Sequence, residues 1–285
     1  MESSIDLACS SALGVLMVAL PVSRSVAVAR AHHAGRPVDW RVLGPSSRWI
    51  RVAMWALEPV AVLVAAAGIS ANAVTAFSLG VGAVAGLLVA GGHFGAASAA
   101  LLVASLGDAI DGLVARRTGS ATVGGAVFDA SADRYQEALF LGGLAFFFRE
   151  DPTLLALVLA ALVGSFMVSY GSAKAEALGV PVPYGIMRRT ERAVSFILGC
   201  ALTPPAIALG QRMGWPSLAE HAPILVATAA VAVLANSSAV RRLTLVAAAR
   251  SPQPPKRAPS ARASQVSSGP TDCILHADGA AKSRV

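Results

Sequence analysis

The chain reads as an all-α integral membrane protein, a bundle of six transmembrane helices preceded by an interfacial helix and a candidate extra N-terminal span. Three observations lead there. Of 285 residues, 55% are hydrophobic and only 14% charged, with a mean hydropathy of +0.63. Ordinary soluble domains carry about 25% charged residues. Several apolar runs approach the roughly 20 residues that cross a bilayer, more than one soluble core could bury. The basic residues gather in alternate loops and in the tail, the asymmetry that membrane topology imposes.

The elements follow in order. Residues 5–22 (IDLACSSALGVLMVALPV) form the candidate extra span. A signal peptide wants a positive start; here Glu2 and Asp6 come first and Arg24 and Arg30 afterwards. That order fits an uncleaved span whose C-terminal end is cytoplasmic. Residues 23–51 are Arg- and His-rich and are expected along the cytoplasmic face. Residues 50–68 contain Trp55, Glu58 and Pro59, and suit a surface helix in the headgroup layer. Six spans follow at about 71–91, 94–115, 124–148, 152–175, 191–210 and 222–241. Gly91-Gly92, Asp151-Pro152, Pro181-x-Pro183 and Pro204-Pro205 punctuate them.

This layout puts Arg116, Arg117, Arg188, Arg189, Arg192, Arg241, Arg242 and Arg250 on one side, against Arg149 and Arg212, with His93, on the other. The positive-inside rule makes the first side cytoplasmic, as at a bacterial-type inner membrane. Residues 251–285 are rich in Pro, Ser, Ala and basic residues and are expected to be disordered. The domains are therefore a 1–47 extension, a 48–244 membrane domain and a 245–285 basic cytoplasmic tail.

A net charge of +7 raises the question of nucleic acid. There is no basic helix or aromatic platform to bind it, and topology with attraction to anionic membrane lipids explains the placement better. Cys9, Cys200 and Cys273 have neither metal nor disulfide spacing, and the five histidines are scattered apart from the pair His32-His33.

Four acids do not fit an apolar chain. Asp108, Asp111, Asp129 and Asp133 lie at the cytoplasmic ends of two consecutive spans. An ionised carboxylate costs about 2.5–3.5 kcal/mol at the centre of a membrane helix, less near its ends, and four together repel one another. A divalent cation resolves both problems, because hard metals take oxygen ligands and favour phosphate partners. Asp108 and Asp111 are i, i+3 and share a helix face; Asp129 and Asp133 are i, i+4 and share another. With Arg116 to Ser120 as the turn, the pairs face each other across a helical hairpin. Gly112, Ala115 and Gly125 leave the facing surface nearly bare, and Arg116 is a cation suited to phosphate oxygens. Acids, bare walls and an arginine describe a pyrophosphate site.

The stretch from Asp108 through Asp111, Gly112, Ala115, Arg116, Gly125 and Asp129 to Asp133 fills every fixed position of the pattern D-x2-D-G-x2-A-R-x8-G-x3-D-x3-D. It resembles the signature of the CDP-alcohol phosphotransferase family. A looser likeness runs from Arg51 to Arg242 and includes Ile69 to Thr75, which is similar to the start of the family's first span. The resemblance implies six membrane helices, a cytoplasm-facing cavity, two divalent cations (Mg²⁺ or Mn²⁺) and transfer of a phosphatidyl-type group from a CDP-linked lipid to an alcohol, releasing CMP. It implies Asp108, Asp111 and Asp129 as metal ligands, Asp133 as metal neighbour and general base, and Gly112, Ala115, Arg116 and Gly125 as the CDP-binding surface. It also makes a homodimer an expectation.

The acceptor is read from Lys174, Arg188, Arg189 and Arg192, which gather near one cytoplasmic loop and suit an acceptor phosphate. Ala173 to Glu176, Arg189 to Arg192, and Asp129-Ala-Ser-Ala-Asp133-Arg134-Tyr135 look like the inositol-phosphate-using branch. Glycerol 3-phosphate and an unphosphorylated alcohol remain alternatives. A cation transporter also carries intramembrane acids, but it places them near the midplane of discontinuous helices rather than at one end beside an arginine.

Overall fold

A computed structural model describes residues 4–12, 48–181, 186–214 and 217–249, and no strand occurs among them. The helices are α1 (residues 4–12), α2 (Arg48–Ala66), α3 (Ala71–Ala90), α4 (Phe94–Thr118), α5 (Val123–Phe147), α6 (Pro152–Ala177), α7 (Arg189–Met213), α8 (Ser217–Glu220) and α9 (Ala222–Ala248). The expected interfacial helix corresponds to α2. The six expected spans correspond to α3, α4, α5, α6, α7 and α9. Residues 13–47, with Arg24, Arg30, His32 and His33, and the tail from 250 onward, with Cys273, lie outside the described residues.

Local chemistry sets the helix ends. Ser70 caps α3 by accepting from Ala73 N, and Thr122 caps α5 by accepting from Gly125 N at 3.0 Å. Asp151 caps α6 by accepting from the amides of Thr153 and Leu154, with Pro152 supplying a first turn that needs no N–H.

Two expectations need correction here. Arg116 to Thr118 are still helical, so the turn is shorter: Gly119 takes φ +63° as the left-handed cap and the chain enters α5 after Thr122. Pro204-Pro205 does not interrupt α7, which runs through both residues. Each proline removes only one intrahelical donor, and buried packing of the surrounding turns holds the helix. Pro204 itself is buried with Gly199, Cys200, Ala201 and Thr203.

Five helices, α3, α4, α6, α7 and α9, are long and apolar enough to cross a membrane. At 25 residues α5 is as long, but it carries Asp129, Asp133, Arg134 and Glu137. Among the described residues, length and apolarity therefore support five spans where six were expected.

The helix arrangement also differs from a simple hairpin. α3 packs against both α4 and α5, α6 packs against α9, and α7 packs against α4 and α9. Close backbone packing thus joins α4 and α5 to α3 rather than to each other. Glycines make this approach feasible: a Cβ on Gly143 would meet Gly86 O at 2.0 Å, and one on Gly107 would meet Ser78 Oγ at 2.0 Å. Far from the acids, Phe94, Phe147, Phe148 and His221 form an aromatic cluster, with Phe94 and Phe147 centroids 5.0 Å apart. Beside it a cavity of about 410 Å³ opens between α1, the α3–α4 turn and α7, lined by Asp6, Gly91, His93, Pro204 and Gln211 among others. α1 docks at this end, where Asp6 Oδ1 accepts from Ala96 N at 2.9 Å in the first turn of α4.

Candidate active site

The last turns of α4 carry Asp108 and Asp111, and the first turns of α5 carry Asp129 and Asp133. The four lie within electrostatic reach of one another: Asp111 feels Asp129 and Asp108, and Asp133 feels Asp129 and Asp108. Neighbouring helices supply the polar contacts. The Thr75 hydroxyl of α3 donates to Asp111 Oδ2 at 2.6 Å, and Gln136 Nε2 donates to Asp108 Oδ1 at 3.3 Å. Arg189, the first residue of α7, pairs with Asp108 and lies 2.6 Å from Asp133 Oδ1. It also donates to Gln136 Oε1 at 3.2 Å.

Two cavities divide the signature residues other than Asp108, which lines neither. One of about 180 Å³ is lined by Asn72, Thr75, Asp111, Gly112, Ala115, Arg116, Gly125 and Asp129. The other, of about 50 Å³, is lined by Ser105, Asp133, Gln136, Glu137, Arg189 and Phe196 among others. Every residue expected to form the CDP-binding surface lies on the first, with two of the expected metal ligands. The expected base lies on the second.

Four carboxylates gather around Arg189, with the Arg134 guanidinium also within electrostatic reach of Asp129 and Asp133, so negative charge is in excess. Asp133 Oδ1 is buried and within ion-pair distance of Arg189, yet no donor approaches it at hydrogen-bonding angles. A buried oxygen in that state attracts a further cation, and the all-carboxylate donor set suits a hard divalent ion. The donor chemistry therefore fits Mg²⁺ or Mn²⁺. Among the described residues no three His, Cys, Asp or Glu side chains converge into an ion-enclosing group. Arg189 draws Asp108 and Asp133 toward itself, while Thr75 holds Asp111.

The four basic residues expected at the acceptor separate. Arg189 reaches the acids. Arg188 is exposed as the N-cap of α7, and Lys174 is exposed in the last turn of α6 and lines neither cavity. Arg192 is only 2% exposed. Its Nε and Nη2 donate to Glu137 at 2.5 and 2.8 Å, and its Nη1 donates to Met187 O at 2.9 Å.

Sequence reasoning missed Asn72, Thr75, Gln136 and Glu137 as parts of the site. The signal for the last two was present: Asp129, Asp133, Gln136 and Glu137 fall at i, i+4, i+7 and i+8, a single polar stripe on an apolar helix. Asn72 and Thr75 are i, i+3 at the start of α3.

With this geometry in hand, likeness to known proteins becomes informative. A family described as CDP-alcohol phosphatidyltransferase matches residues 68–235. A phosphatidylinositol phosphate synthase of Corynebacterium glutamicum is 34% identical over 152 residues, covering 52% of this chain and 69% of that relative. The solved phosphatidylinositol phosphate synthase of Mycobacterium tuberculosis in complex with manganese and citrate is similar, with a TM-score of 0.58 and 27% identity over 67% of this chain and 88% of that one. The same enzyme with CDP-DAG bound gives a TM-score of 0.57, 27% identity, and coverage of 66% and 92%.

Proposed function

The chain belongs to the CDP-alcohol phosphatidyltransferase family, and we propose that it joins the phosphatidyl group of CDP-diacylglycerol to the hydroxyl of an inositol phosphate. As an enzyme of this family it transfers a phosphatidyl-type group from a CDP-linked lipid to an alcohol and releases CMP. One observation carries the assignment of parts. The signature residues other than Asp108 separate into a cavity with Asp111, Gly112, Ala115, Arg116, Gly125 and Asp129, and a second one where Asp133 meets Arg189.

The first cavity is the donor side. Gly112, Ala115 and Gly125 leave room for the CDP moiety against the backbone, and Arg116 offers its guanidinium to phosphate oxygens. Asp108, Asp111 and Asp129 would hold Mg²⁺ or Mn²⁺, with Asp133 adjoining. When bound, the metal neutralises the pyrophosphate and stabilises charge on the departing CMP. Asp133 accepts the proton of the acceptor hydroxyl as its oxygen forms a bond to the lipid-side phosphorus. The phosphorus–oxygen bond to CMP breaks, and CMP leaves with the electron pair. Thr75 orients Asp111 throughout.

Arg189 supplies the acceptor side. It stands beside Asp133 and its side chain is 40% exposed, so it can turn from the carboxylates to an acceptor phosphate. Arg188 joins it from the adjacent position. Lys174 stands in the same cytoplasmic segment and contributes attraction at a distance. Arg192 does not belong in the set, because its fork is already occupied by Glu137.

In a bacterial-type inner membrane, α5 serves as the sixth span, its acidic stripe turned to the site rather than to lipid. The acidic end then faces the cytoplasm with Arg116, Arg117, Arg188 and Arg241. Two copies associate through small-residue helix faces.

Purified protein supplied with CDP-diacylglycerol, Mn²⁺ and a panel of alcohols tests this. CMP release is expected with inositol phosphate and not with inositol or glycerol 3-phosphate. Release confined to a phosphate-free acceptor overturns the role given to Arg189.

A further inference from the structure

The ion pair between Glu137 and Arg192 is more enclosed than either ion pair that Arg189 makes with the acids, yet the reaction as described makes no use of it. Glu137 lies one turn beyond Asp133 on α5, and Arg192 lies one turn beyond Arg189 on α7. The two helices are therefore joined by two rungs, Arg189 to Asp133 and Arg192 to Glu137. The close backbone packing of α7 is to α4 and α9. Its link to α5 is made by these side chains and by Phe196 against Phe140, whose centroids are 5.2 Å apart.

The rungs differ in kind. Side chains in the Arg192–Glu137 pair are 2% and 14% exposed, against 40% for Arg189. Arg192 engages both Glu137 oxygens and still donates to Met187 O. Met187 has φ +63°, the left-handed region that non-glycine residues rarely adopt. Such a conformation persists only where its surroundings over-determine it. Here the surroundings are the Arg192 bond to its carbonyl and the burial of its side chain, which is 8% exposed within the main apolar core. The turn delivers Arg188, whose N–H donates to Glu191 Oε2 at 3.1 Å as α7 begins. Arg189 follows directly.

We infer that Glu137 is a positioning residue for the alcohol acceptor: through Arg192 it fixes the Met187–Arg188 turn, and so holds Arg189 where the acceptor phosphate arrives. The buried rung anchors the start of α7 while the exposed rung is free to exchange its carboxylates for substrate. This rests on the reading that Arg189 faces the acceptor.

The test is steady-state kinetics of the full-length enzyme in detergent, with both substrates varied. Glu137→Gln keeps the shape and removes the charge; it is expected to raise the acceptor KM about tenfold, with kcat within about threefold and the CDP-diacylglycerol KM unchanged. Arg192→Lys, which loses the fork and the reach to Met187 O, is expected to do the same. Glu137→Asp should recover part of the loss. If Glu137→Gln yields no folded protein, Arg192→Lys and Glu137→Asp decide the question. A purely structural role lowers active enzyme without moving either KM, and that result, or equal rises in both KM values, overturns the proposal. Arg189→Gln separates the premise from the inference. An unchanged acceptor KM in Arg189→Gln removes the premise. A raised KM there, with Glu137→Gln at the wild-type value, removes the role of Glu137 alone.

Discussion

At the scale of the residue, Asp133 combines three properties that a base for this transfer needs. Its side chain is 15% exposed, it adjoins a cavity lined by Arg189, and one of its oxygens lacks a hydrogen bond. Asparagine at this position retains the shape but cannot take a proton. Asp133→Asn is therefore expected to lower kcat by about 10²–10⁴-fold, while a CDP-lipid analogue still binds. CMP release and donor binding measured on one preparation check both halves, and near-normal turnover removes Asp133 from the base role. The aspartates were legible in the sequence because a charge near hydrocarbon has no cheap explanation. Arg192 was not so legible. Its number in the chain suggested a ligand-facing cation, and only the proximity of Glu137, 55 positions away, shows it buried and paired.

At the scale of the element, α3 is the helix on which the site depends. α4 and α5 each approach it through glycine contacts, so their acidic faces stand near each other without backbone packing between them. The α3–α5 crossing leaves no room for a side chain: the Cβ of any residue at 143 would fall 2.0 Å from Gly86 O. Overpacking of this kind typically costs about 1–3 kcal/mol, and contact with backbone puts Gly143→Val at the upper end or beyond. Thermal melting in detergent should show a clear fall in Tm with loss of CMP release, whereas an unchanged Tm is incompatible with the close approach of Gly143 to Gly86. Helix extents were readable within three residues, since caps and apolar runs are local, except that α9 continues to Ala248, seven residues past the expected end. The partners of α3 were not readable, since chain order suggests a hairpin of α4 and α5 and three-dimensional packing interposes α3.

At the scale of the whole molecule, the acidic end carries an excess of negative charge that Arg189 and Arg134 do not neutralise, while the opposite end holds the aromatic cluster. A divalent ion bound there stabilises the folded protein by mass action, by about 2.7 kcal/mol at a concentration one hundred times its Kd. Removing metal with a chelator is expected to abolish CMP release and lower Tm; Mn²⁺ or Mg²⁺ should restore both. In Asp111→Asn and Asp129→Asn the metal-dependent rise in Tm should vanish. Full activity after chelation, or a Tm indifferent to metal, rules out the carboxylates as its ligands. The sequence by itself determined the helical class, the positions of the helices, the spaced acids and the family likeness, because each rests on short-range periodicity or on residues within one 26-position stretch. Only the tertiary structure decided that the signature lines two cavities, that Thr75 and Gln136 hold the acids, and that Arg189 and Arg192 have different partners. Those facts depend on which helices meet, and contacts between distant helices leave no local pattern in the chain.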